Sequence, residues 1–225
     1  MTNKESINKS LHDIYSILGS ACLIAVTKYS NSADIQLAYD CGHRDFGENK
    51  VQDLLVKSNN LYYDDIKWHF IGHLQTNKVK QLLAIPHLVS IHSIDSIKLV
   101  KELIKRKNNF AGESLELFFQ INTSGEQEKS GFKRKEELLD AIHLAQKELF
   151  DKRFMFKGIM TIGKIRTDNF EKDARESFSK MVSLKKELNL NNIDAKLSMG
   201  MSSDFELALE YGSDYIRVGS KIFKD

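Results

Sequence analysis

Apolar positions follow two rhythms along this chain. Short runs rich in β-branched and aromatic residues recur as CLIAVTK, RDFGE, KWHFIG, LVSIHSI, LELFFQINT, FKGIMTIG, AKLSMGM and DYIRVGS. Each is too short for a stable helix and suits a buried strand. Between these runs the apolar spacing turns helical. Phe170, Ala174, Phe178, Met181, Val182 and Leu188 share one helical face, as do Leu138, Leu139, Ile142, Ala145 and Leu149. Ile97, Val100, Leu103 and Ile104 form another, behind a candidate N-cap at Asp95 or Ser96.

Strands alternating with helices predict an α/β fold with parallel pairing through right-handed crossovers. Eight such units in 225 residues predict a single domain over residues 1–225, a closed (β/α)8 TIM barrel. An open doubly wound sheet competes, but neither G-x-G-x-x-G nor a Walker sequence follows the first strand. Little chain follows the eighth strand, so a leading helix over about residues 5–18 is expected to cover the gap left by a short final helix.

Composition removes several classes of function. Hydrophobic residues make up 41% and charged residues 28%, and the net charge is only +2, so no global field draws the chain to nucleic acid or an anionic membrane. No apolar run is long enough to cross a bilayer. The polar N-terminal stretch does not resemble a secretory signal, so a cytoplasmic location with Cys22 and Cys41 as free thiols is expected. One proline and 12 glycines leave no place for a flexible linker.

The active face of a parallel barrel lies at the C-terminal ends of its strands. There the sequence offers Thr27 and Lys28, Glu48 and Asn49, Gly72 and His73, His92 and Ser93, Asn122 and Thr123, then Thr161 and Gly163. The last two strands offer Gly200, Met201 and Ser202, then Arg217, Gly219 and Ser220. The loops SMGMSSD and RVGS combine glycine with serine at the pair of positions where barrels often bind phosphate. Ser202 or Ser203 could instead cap the helix around DFELALEYG; the two loops together favour phosphate. Lys28 ends an apolar strand, where a lysine either reaches for water or is wanted as an amine. An amine among apolar neighbours loses its proton more easily and can condense with an aldehyde. Pyridoxal phosphate carries both an aldehyde and a phosphate.

The motifs AVTK, FGENKVQ, WHFIGHLQTNK, HSID, KSGF, GIMTI, LSMGMSSDFELA and RVGSKIF, in this order from about residue 20 to 223, closely resemble the YggS/PROSC family of pyridoxal phosphate homeostasis proteins. The resemblance implies a barrel like the N-terminal domain of alanine racemase, with Lys28 holding pyridoxal 5'-phosphate as an internal aldimine. It places Asn49, Ile71 and His73 beside the cofactor, and Met201, Ser202, Gly219 and Ser220 on its phosphate side. Arg217 is implied near either the pyridine ring or the phosphate; facing the ring nitrogen, it would disfavour protonation and weaken the ring as an electron sink. The chain departs from the family pattern in lacking the prolines after TK and after GIMTIGK, and in ending IFKD.

Other features carry less. His69 and His73 would stand about 13 Å apart on a strand, too far to share a metal, and the glutamate of H-E-x-x-H is missing. His92 is expected to be packed and hydrogen-bonded. NTSGEQEKSGF is a candidate lid, and KRKEELLD and KIRTDNFEKDARE are solvated helix faces. Function then divides between a carrier that buffers the reactive aldehyde, with apoenzymes as possible recipients, and an amino-acid racemase or lyase. Racemisation needs a second base opposite the lysine, which alanine racemase takes from another subunit beside a C-terminal β domain. The sequence ends at Asp225 without that domain, which favours a monomeric carrier lacking efficient catalysis.

Overall fold

The computed structural model describes residues 3–126, 129–163 and 169–223. All eight runs form strands: β1 (Cys22–Val26), β2 (Asp45–Glu48), β3 (Lys67–Phe70), β4 (Leu88–Ile94), β5 (Leu115–Ile121), β6 (Phe154–Thr161), β7 (Lys196–Met201) and β8 (Tyr215–Val218). They pair in parallel in chain order, and β8 returns to β1 to close the barrel. Closure leaves no edge strand and buries both faces of the sheet.

Alternation along each strand sorts its residues between two layers. Phe46 and Trp68 join the outer layer under the helices, their ring centroids 5.9 Å apart, while His69 between Trp68 and Phe70 turns into the barrel. The helices α2 (Ser32–Asp40), α3 (Val51–Asn60), α4 (Val79–Leu83), α5 (Ile97–Arg106), α6 (Lys135–Glu148), α7 (Phe170–Leu190) and α8 (Phe205–Glu210) bury their apolar stripes against this layer. Ser96, rather than Asp95, caps α5 by accepting from Leu99 N at 3.3 Å. The leading helix α1 runs Asn3–Ile17, starting slightly earlier than the expected range, and buries Ile7, Leu11 and Ile14. It packs against α2 and the one-turn α9 (Ser220–Phe223), so it occupies the expected gap.

Two loop devices position the mouth of the barrel. Asn31 and Asp34 form a reciprocal capping box that starts α2 just beyond Lys28, which fixes the path of the β1 loop. Gly72 lets the β3 loop lie against the β2 loop, because a Cβ there would stand 1.9 Å from the Asn49 carbonyl oxygen.

Candidate functional site

Inward positions repeat every second residue along a strand: Val26 ends the inward line of β1, with Lys28 in the turn just beyond it, and Arg217 lies on the inward line of β8, with Gly219 just past its end. At the C-terminal mouth these lines bound a cavity of about 840 Å³, within the range of small-molecule sites. Its wall contains all nine residues singled out from the sequence: Lys28, Asn49, Ile71, His73, Met201, Ser202, Arg217, Gly219 and Ser220.

The β7 and β8 loops are bound together. Ser202 Oγ accepts from Gly219 N at 3.1 Å, which leaves the hydroxyl proton for another acceptor. Ser202 and Ser203 do not cap α8; Asp204 holds the N-cap position, and its Oδ1 accepts from Met201 N at 2.6 Å. Burial raises the Asp204 carboxyl above its ordinary value, opposed by the Met201 N–H and by the charge of Arg217. Gly219 brings this pair of loops against β1, since a Cβ there would meet the Val26 carbonyl oxygen at 2.9 Å.

Lys28 stands exposed at the same mouth, on the β1 loop beside β8, its Nζ 5.1 Å from the centroid of the exposed Tyr29 ring. The expectation of an amine wrapped in apolar neighbours is therefore not met; reach into the cavity, rather than desolvation, distinguishes this lysine. Beneath it lies a buried charge that sequence reading missed as a structural device. Glu48 is fully buried and accepts from Thr27 Oγ1 at 3.0 Å, from Lys57 Nζ at 2.5 Å and from Asn49 N at 3.0 Å. Lys57, reaching in from α3, also donates to the Thr27 carbonyl at 2.7 Å. One carboxylate thus ties the strand ends that deliver Lys28 and Asn49. Only the position of Lys57 beside the buried face of α3, with Leu54 and Ser58, hinted at this.

Arg217 is buried deep in the cavity wall. Its Nη1 donates to Ser198 Oγ at 2.7 Å and its Nη2 to the Thr161 carbonyl at 2.8 Å. Burial pulls its guanidinium down to about 10, partly offset by Asp204, so it remains a cation at neutral pH. His92 is not at the mouth, as its place near the end of β4 had implied. It lies fully buried inside the barrel, stacked on Phe118 at 4.1 Å, because β4 runs on to Ile94. Ser93 is buried beside it, with no hydrogen-bond partner for its hydroxyl among the described residues.

His73 is mostly exposed and places Nδ1 3.0 Å from Asp95 Oδ2 and 3.2 Å from Ser130 Oγ. Ser130 and Lys129 bring the candidate lid to the cavity wall. Asn122 Nδ2 donates to the carbonyls of Glu126 and Lys129, and Gln120 Nε2 to that of Ser130, so these parts of the loop are pinned. Gln127 and Glu128 of that loop lie outside the described residues, as do residues 164–168 of KIRTDNFEKDARE. His69 bonds Ser90 and Asp45 inside the barrel, which separates it from His73, and no cluster able to hold a metal exists among the described residues.

The alanine racemase N-terminal domain family matches residues 3–225. The human pyridoxal phosphate homeostasis protein is 40% identical over 212 residues, covering 89% of this chain and 75% of its own length. The chain belongs to that family. The homeostasis protein of Schizosaccharomyces pombe is also 40% identical, over 206 residues, covering 89% of this chain and 82% of its own. PipY of Synechococcus elongatus, solved with pyridoxal phosphate bound, is 32% identical with a TM-score of 0.82, covering 96% of this chain and 99% of its own. Alanine racemase from Oenococcus oeni, at 16% identity and a TM-score of 0.74 over 98% of this chain and 62% of its own, shares the barrel. Family membership accounts for the order of motifs from strand to strand, and the barrel accounts for their convergence on one mouth.

Proposed function

We propose that this protein binds pyridoxal 5'-phosphate and serves intracellular cofactor and amino-acid homeostasis without efficient catalysis. The observation that carries the proposal is that Lys28 and the joined Ser202–Gly219 loops, carried by neighbouring strands, line a single cavity. Family membership supports it.

The residues present suit the group. The hydroxyls of Ser202 and Ser220 supply neutral donors for a phosphate, with Gly219 and Met201 completing that wall. Asn49, Ile71 and His73 bound the β2 and β3 side, where an aromatic ring can rest against an apolar side chain. The cofactor supplies a reactive aldehyde that an amine captures covalently and reversibly. Lys28 is that amine in this proposal. In this proposal Arg217, two residues before Gly219 and deeper in the cavity wall, serves the ring side rather than the phosphate. A buried cation there opposes protonation of a ring nitrogen, so the site retains a cofactor better than it promotes carbanion chemistry. In the same proposal the protein is a cytoplasmic monomer that passes the cofactor to apoenzymes; light scattering and reconstitution of a chosen apoenzyme test these parts.

The direct test compares pyridoxal phosphate with pyridoxal by absorbance titration. The phosphate ester should bind far more tightly, and equal affinity would overturn the phosphate assignment. Ser202→Ala should weaken binding by about tenfold to a hundredfold, the worth of one hydrogen bond to a charged group. A second test incubates the loaded protein with a panel of L-amino acids. Chiral composition should stay constant and keto-acid release should be negligible. Sustained turnover at about 1 per second or faster would place the protein among ordinary enzymes instead.

A further inference from the structure

The barrel interior holds a file of polar side chains below the cavity. Ser198 Oγ, which accepts from Arg217 Nη1, lies 2.9 Å from His92 Nδ1. His92 Nε2 lies 2.8 Å from Ser90 Oγ, which lies 2.6 Å from His69 Nδ1. His69 Nε2 ends the file 3.0 Å from Asp45 Oδ1, at the start of β2 and therefore at the opposite end of the barrel.

With both imidazoles neutral, the carboxylate end fixes the direction of the chain. A guanidinium only donates and a carboxylate only accepts, while each hydroxyl and each neutral imidazole has one proton to give. Ser198, which accepts from Arg217, is free to give its proton to His92 Nδ1. His92 then carries its own proton on Nε2 and gives it to Ser90, Ser90 donates to His69 Nδ1, and His69 donates from Nε2 to Asp45. Starting from Asp45, which takes the proton on His69 Nε2, each of these steps is forced in turn. Burial, helped by the charge of Arg217, drives His92 well below its ordinary value and so favours the neutral ring this order needs. Burial alone would raise Asp45, but the His69 hydrogen bond and neighbouring charges hold it low, which keeps the accepting end ionised.

We infer that Ser198 and His92 are positioning residues: through a one-way hydrogen-bond chain ending on Asp45, they hold Arg217 in the orientation that meets the cofactor ring. The inference rests on the cofactor assignment above. Ser198 accepts from Arg217 and gives its proton to His92, so it acts on Arg217 and not on a ligand. Two fixed acceptors, Ser198 and the Thr161 carbonyl, leave the guanidinium little freedom to turn.

Nitrogen-15 histidine NMR of the cofactor-free protein tests the chain without any ligand. Both His69 and His92 should appear as neutral rings protonated on Nε2; a proton on Nδ1 of His92, or a charged His92, would overturn the inference. His92→Gln keeps one acceptor and one donor, whereas His92→Leu strands both serines. With pyridoxal phosphate, the leucine variant should lose about tenfold in affinity and shift the visible band, and the glutamine variant should stay within about threefold of the parent. Equal effects in two folded variants would reduce His92 to a packing residue. If the leucine variant fails to fold, the NMR assignment decides. Failure of the unaltered protein to bind pyridoxal phosphate would instead overturn the cofactor assignment, and the tautomers would still judge the chain.

Discussion

Borohydride treatment of the protein loaded with pyridoxal phosphate should leave a stable adduct on the peptide containing Lys28, and Lys28→Ala should abolish it. The expectation follows from strand alternation. Val26 ends the inward line of β1 and Lys28 stands two residues on, in a turn at the cavity wall, and the capped start of α2 keeps that loop from wandering. Lys129 is a second amine in the same wall, which makes the test discriminating. Peptide mass analysis that found the native adduct on Lys129 would overturn the assignment. The serine and glycine contacts of the β7 and β8 loops do not involve Lys28, so Lys28→Ala should still hold some cofactor noncovalently.

Lys57→Met should cost about 3 kcal/mol or more of folding stability, the usual penalty for breaking a buried ion pair from one side. Glu48 would keep the Thr27 hydroxyl and the Asn49 N–H but lose its compensating charge in a site with no solvent exposure. Methionine fills nearly the volume of the lysine stem, so the loss reports charge more than packing. Urea denaturation followed by far-UV circular dichroism measures it. The double variant Glu48→Gln/Lys57→Met should recover part of that loss, because no unpaired charge remains. A single-variant loss below about 1 kcal/mol would mean that water reaches Glu48, and the buried pair would then not be what holds the Lys28 and Asn49 strand ends together.

Much of this architecture was legible because strands and helices impose periods of two and 3.6 on apolar residues. The eight short runs appear as eight strands, and Phe170 to Leu188 as one long helix with a single buried face. The cavity wall was legible for a related reason: a parallel barrel gathers every strand's C-terminal end on one side, so residues at those ends meet whatever their separation in sequence. Periodicity overreached at His92, where β4 continues two residues further and leaves the histidine inside the barrel.

The sequence by itself determined the strand order, the apolar layers and the candidate residues around the mouth, because these depend on local period and on one rule of topology. Only the tertiary structure decided which polar groups pair. Glu48 with Lys57, Ser202 with Gly219, and Arg217 with Ser198 and Thr161 join residues on different elements, at distances that chain spacing does not encode. Their partners are imposed by burial: once the barrel closes and excludes water, each polar group must find a protein partner, and the register of neighbouring strands determines which ones stand within reach.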